Sequence, residues 1–352
     1  MVGELLVTGR TIIFSFNNCG RAPRLAAFCS AIIGLADQGD FLRVLGQLGY
    51  APVPKGAEHK YWYVTRKYIK DPSYREPRWE QLTSESIFAR TAIALNGLFG
   101  TSKTFDITVF GFTHTLIFLL ALARLFHVTR HFARYRILWA LILLALTDVG
   151  YVSYWNSLYT EPASCLWFLF FLAESINICD TQQISFGLTL RWSVFAVLWI
   201  TAKPQNALFC IPLAVYGLAI ARRTLDRKAH YASLGGVVAV CLAGVVMYCS
   251  VPLTTRVTAH YNVIFFGILP GSDDPQSDLK ALGLNPDYAR YAGTVAWSSG
   301  TGVRDGALVN AVEANVTSFG LMAFYLKRPM RMLGRLEELL TDRFFSATGV
   351  LR

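Results

Sequence analysis

Six long apolar runs constrain this chain more than any other feature, because each approaches the length of a membrane-spanning helix. The fourth run is short unless it begins before Arg191, near Phe186, which would bring it closer to that length. Lipid offers backbone groups no water to bind, so each run must be helical. The expected fold is an all-α, polytopic transmembrane helical bundle. The runs lie at about residues 105–126, 137–154, 163–179, 192–202, 207–221 and 234–251.

The composition agrees with a membrane protein. Hydrophobic residues are 53% of the 352 positions and charged residues only 16%, far from the averages of soluble domains. The formal charge of +10 does not indicate nucleic acid, because the basic residues cluster beside the apolar runs and there set orientation. The seven cysteines form no Cys-x-x-Cys pair, so they predict neither a zinc site nor a disulfide framework.

Charges in the short loops predict the topology. Residues 124–136 contain Arg124, Arg130, Arg134 and Arg136, residues 222–230 contain four Lys or Arg, and residues 156–161 contain none. Basic loops stay in the cytoplasm, so the alternation places residues 156–161, 202–206 and everything after 252 outside. The chain is therefore expected to be a multi-pass protein with a defined outer side.

These assignments divide the chain into two regions. Residues 1–252 are expected to form a transmembrane domain with an extracytoplasmic loop at 37–104, and residues 253–352 a mainly extracytoplasmic C-terminal region. Tyr, Trp, Lys and Arg are abundant at 41–103, which predicts amphipathic segments at the membrane surface, as an interfacial helix pair. The apolar stretch at 25–36 is short for a first span, and the C-terminal residues resemble the approach to a further helix. We expect a truncated chain.

The tetrapeptide at 37–40, Asp-Gln-Gly-Asp, has two interpretations. Asp40 could cap the helix that follows, because an aspartate side chain accepts hydrogen bonds from first-turn amides. Alternatively, a carboxylate at the outer membrane surface could remove a proton from a substrate hydroxyl. The acidic residues near Asp40 are too few to define metal ligands, so no cofactor is predicted and a divalent metal stays open.

Two further turns on the same predicted side contain polar residues. Glu161 and Pro162 fit either a helix start, where an acid suits the dipole, or a substrate contact. The turn at 201–206 contains Lys203 and Gln205, which could meet phosphate oxygens, although a lysine near a headgroup can also simply snorkel.

Asp148 and His114 lie within predicted spans, where an ionisable group usually has a partner or a function. They could pair with each other structurally, or form a proton relay or the floor of a polar cavity. The acidic stretch at 271–278 lacks the spacing of a calcium loop. A helix capped by Asp274, with Pro275 at its first position and Gly283 after its end, explains that stretch better.

The order of these motifs resembles the polytopic glycosyltransferases of the GT-C class, and among them bacterial hexosyltransferases of cell-surface glycan biosynthesis. The similarity extends over about residues 34–345. The elements that share it are the acidic motif at 37–40, the Asn-Ser-x-Tyr-x-Glu-Pro element at 156–162, the turn at 203–206, and the stretch at 261–267 leading to 282–284.

The resemblance implies that a sugar, a hexose, moves from a polyprenyl-phosphate-linked donor to a glycan, lipid or protein acceptor. It also implies a bacterial inner (plasma) membrane as the location, with the active site facing the periplasm or exterior. It implies that Asp40 is the catalytic base, with Asp37 the alternative. The residues implied to hold the lipid phosphate are Lys203, Arg256 and His260, and those implied to bind sugar hydroxyls are Glu161, Gln205 and Asp148.

Two other functions are compatible with the sequence. A proton-coupled transporter would place its site near the bilayer midplane, where Asp148 and His114 are expected. A non-catalytic membrane protein of envelope assembly would tolerate substitution of every outer carboxylate. The sequence contains no internal repeat that would favour a transporter.

Overall fold

The computed structural model describes residues 40–53, 65–75, 82–99, 104–131, 135–146, 154–296, 298, 300–334 and 337. These residues are mainly helical and fall into two compact units. Unit 1 lies within residues 1–75 and 82–247, and unit 2 lies within residues 76–81 and 248–352. Asp37 and Asp148 are outside the described residues.

The first described residues of unit 1 belong to a small layer of mixed secondary structure. Its elements are α1 (Phe41–Val44), β1 (Tyr50–Pro52), β2 (Lys67–Lys70), α2 (Glu85–Phe99) and β3 (Thr104–Asp106). The strands form one antiparallel sheet in the order β1-β2-β3, with Tyr50 opposite Lys70 and Lys67 opposite Asp106.

The predicted interfacial helix pair at 41–103 is therefore wrong, because only α2 is a helix of substantial length in the described part of this segment. In β2 the side chains alternate, with Tyr68 buried and Lys67 and Lys70 exposed, which is the period of a strand. The aromatic rings pack inside this layer, where Tyr68 stacks on Phe41 with ring centroids 5.6 Å apart.

The rest of unit 1 is a helical bundle. Among the residues that the structure describes, four segments of this unit are long and apolar enough to cross a membrane, at 107–129, 161–180, 204–223 and 227–249, and one apolar helix is shorter. A polytopic helical membrane protein is thereby confirmed. The helices are α3 (Ile107–Thr129), α4 (Tyr135–Leu146), α5 (Glu161–Asp180), α6 (Phe186–Ile200), a 3-10 turn (Pro204–Phe209), α7 (Cys210–Arg223) and α8 (Arg227–Cys249).

Helix α6 begins where the sequence predicts. Its first residue is Phe186, and the Ser185 side chain accepts a hydrogen bond from the Leu188 amide as an N-cap. The early start includes Arg191 within the helix, and it extends the apolar run to 15 residues.

A buried carboxylate joins three of these helices. Glu174 of α5 is 1% exposed and pairs with Arg124 of α3 at 2.7 Å and with Arg191 of α6 at 3.3 Å. Arg124 was assigned to a basic loop, but it lies inside α3, five residues before its end. The two guanidinium groups compensate the cost of burying the carboxylate in an apolar bundle.

Glycines allow close approach between bundle helices. A methyl group added at Gly236 of α8 would overlap the Ser193 hydroxyl of α6, and one at Gly217 of α7 would meet Val237 at 2.6 Å. Small residues at helix crossings let the backbones approach each other closely. In a membrane, van der Waals packing rather than the hydrophobic effect drives helix association.

Unit 2 follows the end of α8 and has its own apolar core. Its helices are α9 (Leu253–Tyr261), a π-helical segment (Asn262–Ile268), α10 (Pro275–Ala281), α11 (Gly306–Asn315) and α12 (Ser318–Leu326). The axes of α11 and α12 differ by 73°. The prediction for 271–278 is confirmed: Asp274 accepts a hydrogen bond from the Ser277 amide, Pro275 opens the helix, and Gly283 has φ +73°.

Candidate functional site

Residues 83–84 and 198–202 of unit 1 are far apart in the chain but lie in contact. Helices α2 and α5 begin here and α6 ends here, and we name this part of the bundle the Glu161 end. The Thr83 hydroxyl donates a hydrogen bond to the carbonyl of Ala202 at 2.8 Å. The Ser84 amide donates to the carbonyl of Thr201 at 2.9 Å, and its hydroxyl donates to that of Leu198 at 2.8 Å. The start of α2 is therefore fixed against the end of α6.

A half-exposed ion pair links the turn after α6 to the start of α5. Lys203 Nζ lies 2.6 Å from Glu161 Oε1, with side chains 21% and 47% exposed. The buried Asn206 amide supports this junction by donating to the Ser164 hydroxyl at 2.9 Å and to the carbonyl of Trp199 at 2.8 Å. The cation and the carboxylate are thus held together at a surface that solvent reaches.

Behind this surface lies a fully buried acid–base pair. Glu85 and His114 are both 0% exposed, and Glu85 Oε1 lies 2.7 Å from His114 Nε2. The other carboxylate oxygen accepts a hydrogen bond from the Ala163 amide in the first turn of α5. His114 Nδ1 lies 2.8 Å from the carbonyl of Trp155.

These contacts define how the pair holds its proton. A carbonyl can only accept, so Nδ1 of His114 carries a hydrogen that it donates to Trp155. Nε2 then either accepts from a protonated Glu85 or donates to an ionised one, and both arrangements make the pair neutral overall. The pair joins α2, α3, the segment before α5, and α5 itself.

The loop that leads to Glu161 is packed against α3 through Gly111. Asn156 is 2% exposed, and its side-chain oxygen occupies the space that a Cβ at residue 111 would fill. A larger residue at position 111 would displace Asn156 and the loop that leads to Glu161.

Asp40 lies at the N-terminus of α1, but the capping interpretation is not supported by its contacts. Its side chain makes no capping hydrogen bond and pairs with Arg43 at 2.8 Å. Phe41 and Val44 belong to the same buried apolar cluster as Leu158, which precedes Glu161 in the chain. Helix α1 is thus part of the core that supports the Glu161 end.

Comparison with known proteins provides the family. The chain matches the model of the YfdI N-terminal transmembrane domain over residues 24–344. It belongs to this family. No curated protein matches the chain, and no solved structure does either.

In this member of the YfdI N-terminal transmembrane domain family, the structure brings together only part of the predicted site. Glu161 and Lys203 are in direct contact, and the exposed Gln205 lies in the same turn as Lys203. Asp37 and Asp148 are outside the described residues. Of the alternatives for His114, a pairing of its ring with Asp148 is wrong, because both ring nitrogens contact other groups.

Arg256 and His260 lie on α9 of unit 2. Arg256 is exposed, whereas His260 is buried and its Nε2 lies 3.2 Å from the Ser318 hydroxyl. Burial, and secondarily the charge of Arg256, lower the pKa of His260 below its usual value. A neutral, buried imidazole is poorly suited to hold a phosphate by charge.

Sequence reasoning missed the Glu85–His114 pair of this family member. Glu85 is the first residue of α2, and an acid in a first helical turn is ordinarily explained by the helix dipole. The informative signal was His114 inside an apolar run, which requires a buried partner. Among the described residues, no group of three or more His, Cys, Asp or Glu is arranged to hold a metal ion.

Proposed function

We propose that this chain is a GT-C-type glycosyltransferase that moves a hexose from a polyprenyl-phosphate-linked donor to a cell-surface glycan, lipid or protein acceptor. The reaction takes place at the outer face of a bacterial inner membrane. The observation that carries the proposal is the Lys203–Glu161 pair at a solvent-reached end of a membrane bundle. The pair places one cation and one carboxylate side by side. A phosphosugar has a phosphate anion for the cation to bind and, next to it, hydroxyl groups that can donate to the carboxylate.

Within this proposal the pair divides its contacts between the two halves of the donor. Lys203 binds a phosphate oxygen, because an ammonium group acts as a mobile point charge with three donors. Glu161 accepts hydrogen bonds from sugar hydroxyls, aided by Gln205 in the same turn as Lys203. The hydrogen bonds of Thr83, Ser84 and Asn206 fix the backbone at the end of α6 and in the turn that contains Lys203. This reduces the conformational entropy that the site loses when a substrate binds.

Asp40 acts as the general base. The acceptor hydroxyl transfers its proton to the Asp40 carboxylate while its oxygen forms a bond to the anomeric carbon of the sugar. The bond from that carbon to the lipid phosphate breaks, and the phosphate leaves with the electron pair. Arg43, 2.8 Å from Asp40, orients the carboxylate. Asp37, three residues earlier, is the alternative base.

The test is complementation of a strain that lacks the surface glycan. Asp40→Asn keeps the shape of the side chain but removes the base, so transfer should fall by about 10²- to 10⁴-fold. Asp71→Asn is the matched control, since Asp71 lies in the same layer and caps a 3-10 turn through Ser73. Glycan would be measured by gel and mass spectrometry at equal membrane levels of each variant.

A second set of variants decides between the two aspartates. Asp37→Asn should leave transfer close to that of the unsubstituted chain if Asp40 is the base. The proposal fails if Asp40→Asn and Asp37→Asn each restore the full amount of glycan. The transporter alternative would require His114 to relay protons from its contacts with Glu85 and Trp155.

A further inference from the structure

Helix α12 has an apolar surface that its own unit does not cover. The helix contains no charged residue, and only Leu321 and Phe324 are buried in the unit 2 core. Phe319, Met322 and Leu326 are 63%, 52% and 67% exposed. Large apolar side chains side by side on one short helix are costly in water and mark an interaction surface.

The preceding helix has the opposite character. Helix α11 buries Leu308 and Val312 but exposes Asn310, Glu313 and Asn315. The 73° bend therefore separates a helix with a polar outer face from one with an apolar outer face. A single broken span would place Glu313 in hydrocarbon, which costs a few kcal/mol.

Helix α12 is also too short to cross a bilayer. Its nine residues extend about 13 Å at 1.5 Å per residue, less than half of the roughly 30 Å of hydrocarbon. An apolar helix of this length fits the boundary between headgroups and acyl chains, where such segments bury their apolar face by about 5–10 Å.

Contacts within unit 2 hold the first residues of α12 in place. The ring of Phe319 packs near that of Tyr248, in the last turn of α8, with centroids 6.5 Å apart. The next helix, α9, holds Ser318 through His260. Tyrosine is enriched at the membrane–water boundary, so the contact with Tyr248 is consistent with a start of α12 at that boundary.

Basic residues follow the apolar surface directly. Lys327 is exposed, while Arg328 and Arg331 share the buried carboxylate of Asp278. Three cations against one carboxylate leave a local charge of +2. A positive group beside an exposed apolar helix complements the negative phosphates above the acyl chains.

We propose that α12 lies in the membrane interface, with Phe319, Met322 and Leu326 in the acyl region and Lys327 among the lipid phosphates. Helix α11 stays in water. The partner is the bilayer itself, and the proposal does not depend on the glycosyltransferase activity.

Photo-crosslinking of the full chain in native membranes tests this arrangement. p-Benzoylphenylalanine replaces Met322 or Leu326 in α12, and Asn310 or Glu313 in α11 as matched controls. After irradiation, mass spectrometry quantifies phospholipid adducts. We expect the two α12 sites to give at least tenfold more lipid adduct than the two α11 sites.

Either of two results would overturn the proposal. Equal lipid adducts at Glu313 and Met322 would mean that both helices form one span. No lipid adduct at Met322 or Leu326 would mean that protein covers α12. Phe319 is a further labelling site. Because p-benzoylphenylalanine retains the phenylalanine ring, this variant keeps the test valid if a Met322 or Leu326 variant does not fold.

Discussion

At the scale of the residue, the Glu85 carboxylate has two roles. One oxygen meets the His114 imidazole, and the other accepts the Ala163 amide at the start of α5. A carboxylate near the first turn of a helix is favourable, and here it comes from a different helix. The backbone that presents Glu161 thus depends on a group 76 positions earlier in the chain.

Removal of this carboxylate should be strongly destabilising. Glu85→Ala leaves a buried imidazole nitrogen and a buried amide without their partner, which typically costs about 3–5 kcal/mol. Unfolding in detergent, followed by circular dichroism, measures the change. Glu313→Ala is the exposed control and should change stability by less than about 0.5 kcal/mol. A Glu85→Ala variant as stable as the control would contradict this role.

The Lys203–Glu161 pair can be tested by exchanging its charges. An exposed ion pair contributes about 0–1 kcal/mol, so Glu161→Lys and Lys203→Glu should barely change stability. Each should abolish glycan transfer, because each places the wrong charge before the phosphosugar. The double exchange restores the ion pair but should leave transfer lost. Recovery of transfer in the double exchange would show that the pair is structural only.

At the scale of the element, neighbouring glycines of α8 differ in their surroundings. A Cβ at Gly235 would meet nothing within 4 Å, whereas a Cβ at Gly236 would overlap the Ser193 hydroxyl. The two positions share the same helix and nearly the same depth. Substitutions at the two positions therefore distinguish the effect of helix propensity from the effect of close packing between α6 and α8.

Two alanine substitutions should have opposite effects. Gly235→Ala should stabilise the bundle by up to about 1 kcal/mol, because alanine is the better helix former. Gly236→Ala should destabilise it by about 1–3 kcal/mol, since α6 and α8 must separate. Thermal unfolding of both variants in one detergent provides the measurement. Changes of the same sign would refute the close crossing of α6 and α8.

Elements differ in how far the sequence determines them. The runs behind α3, α5 and α7 predict their helices because spanning segments must satisfy their backbone internally. The short strands were not predicted. Three or four residues are too few to show a clear apolar–polar alternation, and the aromatic and basic composition of the segment favoured interfacial helices instead. Glu85 and His114 are 29 residues apart, and such a pairing follows only from the packing of α2 on α3.

At the scale of the whole molecule, the side of the membrane on which one loop lies determines the side of every other loop. The basic loop at 222–230 predicts a cytoplasmic position, and the opposite ends of α5 and α6 must then face outward. Cysteines introduced at Asp71 or Gln205 should react with a membrane-impermeant maleimide in intact cells. A cysteine at Asp226 should react only after the membrane is opened. The reverse pattern would move the Glu161 end to the cytoplasm and remove the proposed reaction from the outer face.

The three-way pairing of Glu174 also bears on how the protein is made. Helices enter the membrane in chain order, so Arg124 is already in place when α5 emerges, and Arg191 arrives last. We therefore expect the Glu174 carboxylate to meet the Arg124 guanidinium first, and the Arg191 guanidinium only when α6 enters the membrane. Insertion of α5 is then expected to depend on α3, which is made earlier and contains Arg124, so that α3 is an assembly partner as well as a structural one.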